Sequence, residues 1–184
     1  MKKVIMKSAI STALIILFSF IFLPFNGLTQ NNLNEKKLKE VATEIIKSSA
    51  TCALISLDNE GQPRARAMDP FPPDDDFTIW FGTNAKSRKV NQIKNDPRVT
   101  VYYLADDASG YVSIYGLAEL IDDKKTKEKY WKPEWEAFYP NKQSDYLLIK
   151  VTHLWLEIIS ESNGINGDYE TWAPSVVKFP TKGV

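Results

Sequence analysis

The stretch Phe77–Asp96, "FTIWFGTNAKSRKVNQIKND", begins as a strand and ends as a helix, and its junction concentrates charge. Phe77, Ile79, Trp80 and Phe81 make a run that is apolar on both faces, as a strand buried on both sides requires. Gly82, Thr83, Lys86, Ser87, Arg88 and Lys89 follow at once. Val90 and Ile93 then predict a short helix from about Asn84 to Lys94, capped by Thr83 or Asn84, with the amides of Ala85, Lys86 and Ser87 directed outward. The start of a helix attracts anions through its free N–H groups and its dipole. Cations placed there are unfavourable unless an anion sits among them, so a bound phosphate would account for the pattern. The alternative is a solvated basic face of Lys86, Arg88 and Lys89 laid over Val90 and Ile93.

Strand signals flank this stretch on both sides. "TCALISLD" and "PRARAM" are short β-like runs joined by "NEGQ", a hairpin turn signal. "DPRVTVYYLA" and "GYVSIYGLAELI" are two more, separated by "DDASG", and "DYLLIKVTHLWLEIIS" is a long final strand. Upstream, "NNLNEKKLKEVATEIIKSS" sets Leu38, Val41, Ile45 and Ile46 on one helical face. "DDKKTKEKYWKPEWEAFYP" reads as a charged helix interrupted at Pro133, with Trp131 and Trp135 on a shared face that suits core or dimer packing, stacking near a ligand being the alternative. Strands succeed one another through turns instead of alternating with helices, which disfavours a doubly wound parallel sheet. The expectation is a mainly β (α+β) fold: about six antiparallel strands closed into a small barrel, with flanking helices. Residues 161–184 show little periodicity and are expected to form an irregular tail.

The bulk composition narrows the function. With 184 residues, 43% of them hydrophobic, the chain supports one core of ordinary size. Lys and Arg number 23, as do Asp and Glu, so nothing draws the chain to nucleic acid and any anion site has to be local. Lys2, Lys3 and Lys7 precede the uncharged run "SAISTALIILFSFIFLPF" and a polar stretch, the layout of a secretory signal peptide over residues 1–30. Cleavage near Thr29 or Gln30 would export a domain of residues 31–160 and its tail to the periplasm or the exterior; an uncleaved membrane anchor over residues 8–25 is the alternative. Loss of three lysines and no acid would leave 20 basic and 23 acidic residues, a net charge of −3.

Cys52 is alone, offers no disulfide, and reads as a small buried residue. One histidine and no ligand cluster make a metal site unexpected. Asp74, Asp75 and Asp76 lack calcium-loop spacing and read as a solvated turn. Arg64 and Arg66 alternate with Ala65 and Ala67 and so share one strand face, a second concentration of positive charge.

At "FGTNAKSRKV" the chain resembles the phosphate-binding segment of the pyridoxamine 5'-phosphate oxidase-like split-barrel flavoproteins. The resemblance extends from Leu38 to Ile159: "DNEGQPRARAM" is similar to the preceding hairpin, and "NDPRVTVYY" and "YVSIYGLAELIDD" to the two strands after the helix. "YWKPEWEAFYPNKQSDYLLIKV" is similar to the closing segment of the general stress protein 26 branch. The resemblance implies a six-stranded antiparallel split β-barrel that binds FMN at the interface of a homodimer. It implies that Arg88 and Lys89 hold the phosphate with Thr83 and Ser87, that Arg66, Ala67 and Met68 run along the isoalloxazine, and that Phe81 and Gly82 let backbone approach the ribityl chain or ring. Arg64 competes with Arg66 for one family position. Haem, through His153, or a deazaflavin are alternatives at the level of the cofactor.

The chain also departs from the oxidase itself. It ends "WAPSVVKFPTKGV" without the arginine that helps the oxidase recognise substrate, and Tyr111 or a neighbour stands where the oxidase carries a glutamine. These departures tell against oxidation of pyridoxamine phosphate and leave the FMN expectation standing. The function expected is that of an exported FMN-dependent oxidoreductase acting on a small molecule, with no acid or base that can be named. A flavin-binding or ligand-sequestering module without turnover is the alternative.

Overall fold

The structure, a computed structural model, describes residues 27–74 and 76–180. The expected anchor over residues 8–25 and most of the expected signal peptide lie outside the described residues. Helix α1 (Gly27–Ser48) leads into strands β1 (Cys52–Leu57), β2 (Pro63–Met68) and β3 (Ile79–Asn84). Helix α2 (Arg88–Asn95), β4 (Arg98–Leu104) and β5 (Gly110–Ile121) follow, then short helices α3 (Lys124–Lys129) and α4 (Lys142–Asp145), β6 (Tyr146–Ser160) and β7 (Ser175–Lys178).

Six strands pair antiparallel in the order β2-β1-β4-β5-β6-β3. The hairpin between β1 and β2 turns where Asp58 accepts from the amides of Glu60 and Gln62, and Gly61 takes a φ of 74° that favours glycine. The two ends of the path curl toward each other: beyond β2 the Phe71 amide donates to Trp80 O at 2.9 Å, and Pro70 bridges Phe81. This is the mainly β, antiparallel arrangement expected from the strand order, curled as the split barrel that the resemblance implied. Inward positions alternate, as in Val99, Val101 and Tyr103 of β4, and meet Leu54, Phe81, Ile114 and Leu156 in one core. Helix α1 closes one side of that core with Leu38, Val41, Ala42, Ile45 and Ile46.

Three local expectations are corrected. Helix α2 starts at Arg88 with Ser87 as its N-cap, four residues later than the apolar spacing suggested. The amides expected to point outward are already engaged: Ala85 N donates to Asp145 O, Lys86 N to Asn84 Oδ1 and Ser87 N to Asn84 O. The charged segment after β5 does not form one helix either. It breaks after Lys129, and Trp131 and Trp135 meet edge-to-face at 6.3 Å across a turn containing Pro133. Finally, the tail contains β7, which pairs with the part of β6 that β3 leaves open.

Candidate functional site

Hydrogen-bond register places Arg64 opposite Ser56 and Arg66 opposite Leu54, so both arginines share the face that the inward residues of β1 occupy. Their environments differ. Arg64 is exposed and donates to Asp58 Oδ2 at 2.7 Å, which neutralises it locally. Arg66 is half-buried; its Nη1 donates to Ser56 Oγ at 2.8 Å and Leu54 O at 3.3 Å, and its Nη2 to Gln92 Oε1 at 3.0 Å. None of these partners carries a negative charge.

On the other side of this corner Lys89 Nζ donates to Thr83 Oγ1 at 3.0 Å, and Thr83 Oγ1 lies 3.2 Å from Ser87 Oγ. The end of β3, the turn and the first residues of α2 bring these groups together, because Val90 and Ile93 anchor α2 in the protein with Lys89 at its leading end. Burial, then the nearby Arg88, pushes the Arg66 guanidinium below its ordinary value. Burial, then Arg66, does the same to Lys89. Among the described residues no ion pair engages Arg66, Arg88 or Lys89. They are three mutually repelling cations gathered at one corner.

Two cavities meet at Lys89. One, of about 550 Å³, is lined by Arg64, Arg66, Ser87, Arg88, Lys89 and Gln92 with Pro63 and Ala65. The other, of about 480 Å³, is lined by Ala67, Met68, Asp69, Gly82, Thr83 and Asn84 on one side and by Trp135, Phe138 and Tyr139 on the other. Trp135 rests on Gly82: a Cβ at that position would press into the indole and come within 2.9 Å of Tyr146 Cε2. Lys132 ties this aromatic segment to the end of β2 by donating to Asp69 at 2.6 Å.

Eight of the nine residues singled out from the sequence present themselves at these two cavities or at their junction. Phe81 is the exception: its side chain is fully buried in the core, and only its main chain lies beside Gly82. Gln92, Phe138 and Tyr139 were not legible as site residues, since their place depends on contacts between distant segments; Ser56 lies across the expected hairpin from Arg64 and carried no signal of its own. Asp74 does more than face solvent, for it accepts from Trp80 Nε1 at 3.0 Å. His153 packs edge-to-face against Phe77 and Phe179, with ring centres 6.2 and 3.9 Å away, and lines neither cavity. Burial pushes the Cys52 thiol up to about 12, so it stays protonated near neutrality.

Comparison with known proteins bears on the family and the fold. The sequence model of the family described as "Pyridoxamine 5'-phosphate oxidase like" matches residues 36–155, well over half of the chain. General stress protein 26 of Bacillus subtilis (strain 168) is 26% identical over 121 residues, which cover 64% of this chain and 84% of that protein. The crystal structure of general stress protein 26 from Bacillus anthracis superposes with a TM-score of 0.61 at 24% identity, covering 77% of this chain and 98% of the other. A Clostridium acetobutylicum protein described as related to general stress protein 26 and to the pyridoxinephosphate oxidase family gives 0.63 at 23% identity, over 78% and 95% of the two chains. At those identities the two structures speak to the fold, and the match over residues 36–155 speaks to descent: the chain belongs to the pyridoxamine 5'-phosphate oxidase-like family, with general stress protein 26 among its relatives.

Proposed function

We propose that the chain binds FMN and acts as a flavin-dependent oxidoreductase on a small-molecule substrate. The observation that carries this reading is the corner of Arg66, Arg88 and Lys89, three cations that no carboxylate among the described residues engages, backed by the hydroxyls of Thr83 and Ser87. Gathering like charges costs free energy in the empty protein, and a phosphate dianion is a ligand that reverses that cost. The cavity beginning at Lys89 and running between Ala67, Met68 and Gly82 on one side and Phe138 and Tyr139 on the other suits a flat, largely apolar ring system.

In this reading Arg88 and Lys89 hold the phosphate, Thr83 and Ser87 donate to it, and Arg66, which lines the same cavity as Arg88 and Lys89, adds its positive charge at the phosphate corner. Ala67, Met68 and Gly82 supply small or flexible surface that allows close approach. Bound FMN supplies two-electron chemistry that no side chain of this protein can supply. Among the described residues Asp69 is the only carboxylate lining the ring cavity, and it is already bridged to Lys132, so no carboxylate there stands apart as a general base. That observation favours a second reading, a flavin-binding module without turnover.

The outer face of the sheet supports a homodimer. Tyr102 stacks on Tyr111 and Tyr115 on Trp155, with ring centres 5.3 and 3.7 Å apart, and Ile55 belongs to the same half-exposed face. Such a patch suits a second copy better than water. Export, with FMN acquired outside the cytoplasm, completes the proposal and is motivated by the uncharged run Ser8–Phe25 after three lysines.

Titration with FMN, followed by flavin absorption and fluorescence, tests the reading. Saturable binding by the wild type that is lost on combined Arg88→Ala and Lys89→Ala substitution is expected. A wild type that takes up no flavin sinks it. Reduction of the bound flavin by a nicotinamide donor, with repeated reoxidation, separates an enzyme from a binding module.

A further inference from the structure

Gln92 is buried on α2, one turn beyond Arg88 and Lys89, and its Oε1 accepts two hydrogen bonds: from Ser56 Oγ at 2.7 Å and from Arg66 Nη2 at 3.0 Å. Ser56 is also fully buried, and its Oγ accepts from Arg66 Nη1 at 2.8 Å. The three side chains close a triangle. Its proton logic runs one way: Arg66 can only donate, Ser56 accepts from Arg66 and donates to Gln92, and Gln92 receives both.

We propose that Gln92 and Ser56 are positioning residues for the anion site, holding the Arg66 guanidinium at the Arg88 and Lys89 corner so that a phosphate meets a preset fork. This rests on the reading of the site as one for FMN. An arginine on an edge strand has many rotamers, and its long side chain would otherwise swing toward solvent, away from two other cations. Two neutral acceptors remove that freedom without cancelling the charge. A carboxylate at position 92 would fix Arg66 equally well and neutralise it, which is why an amide suits a site that must stay positive.

The test compares FMN with riboflavin, which lacks the phosphate, on the full chain. The wild type is expected to prefer FMN. Gln92→Met and Ser56→Ala should each lower that preference roughly tenfold while leaving riboflavin affinity unchanged. Gln92→Glu should lose more of the preference, yet raise the melting temperature of the flavin-free protein, because its carboxylate meets Arg66. Ser56→Ala removes a single hydroxyl, so it reports even if Gln92→Met folds poorly. Weakening of both flavins by the same factor in the two variants, or retention of the full preference, overturns the positioning role alone. A wild type that does not distinguish the two flavins overturns the phosphate reading and the inference with it.

Discussion

Lys89 and Arg66 meet as like charges: the Lys89 ammonium donates to Thr83 Oγ1 at 3.0 Å, and after burial the Arg66 guanidinium is what most lowers its hold on a proton. In a ligand-free protein that proximity is a cost. The unfolded chain binds the Lys89 proton more tightly than the folded one, so between the lowered folded value and the ordinary lysine value stability rises with pH. Below that window the cost is present in full. Lys89→Met should therefore stabilise the flavin-free protein near neutral pH by about 1 kcal/mol or less, since screening trims the repulsion, and should flatten the rise toward alkaline pH. Urea unfolding at neutral and alkaline pH measures both effects. The same variant should bind FMN more weakly.

Inorganic phosphate alone should stabilise the protein. At about ten times its dissociation constant a ligand that binds only the folded state adds about 1.4 kcal/mol. Thermal melts in phosphate against chloride at matched ionic strength should show the gain, and the Arg88→Ala, Lys89→Ala pair should erase it. An equal gain in that variant would place the phosphate elsewhere.

Gly82 is required by the indole above it. Ala at this position would drive a methyl group into Trp135 and toward Tyr146, neither of which can retreat freely from the surrounding aromatic cluster. Gly82→Ala should cost about 1–3 kcal/mol by overpacking. Adding Trp135→Ala should recover part of that loss, so a double-mutant cycle with no coupling would refute the contact as its cause.

Lys127 and Asp122 should respond unequally to substitution. The Lys127 side chain is 5% exposed; its Nζ donates to Asp122 Oδ1 at 2.7 Å and Gln143 O at 2.8 Å, while Asp122 is 68% exposed. Asp122→Ala strands a buried ammonium and should destabilise by about 1–2 kcal/mol. Lys127→Met keeps the packed stem and removes the charge, so denaturant titration should find it the milder change.

The stacked pair Tyr115 and Trp155 offers a handle on assembly. Trp155→Glu would place a charge in the centre of the outer sheet face. Sedimentation should show a dimer for the parent and a monomer for the variant; a parent that is monomeric at micromolar concentration would discard the homodimer.

Much of this was legible along the chain because the signals are local. Alternating burial and turn residues placed the six barrel strands closely, down to β5 at Gly110–Ile121, since period-two patterning needs no knowledge of the partner strand. The start of α2 was misplaced for an equally local reason. Thr83, Asn84 and Ser87 are all competent caps, and the choice fell to Ser87 because Asp145 and the Asn84 side chain take the amides before it. Pro133 signalled an interruption, but the aromatic packing of Trp131, Trp135 and Tyr139 on Tyr146 decided that the helix would not resume there.

By itself, the amino-acid order determined the strand series, the amphipathic α1 and the clustering of Thr83, Ser87, Arg88 and Lys89, because periodicity, turn chemistry and charge runs act between near neighbours. Only the tertiary structure decided which of the candidate cations keeps its charge uncompensated. Arg64 and Arg66 look alike on one strand face, yet the hairpin turn returns Asp58 to Arg64, whereas Arg66 receives Ser56 from the paired strand β1 and Gln92, 36 residues from Ser56, from the seating of α2. Residue spacing carries no information about such meetings, since they depend on how the sheet curls and where α2 seats on it.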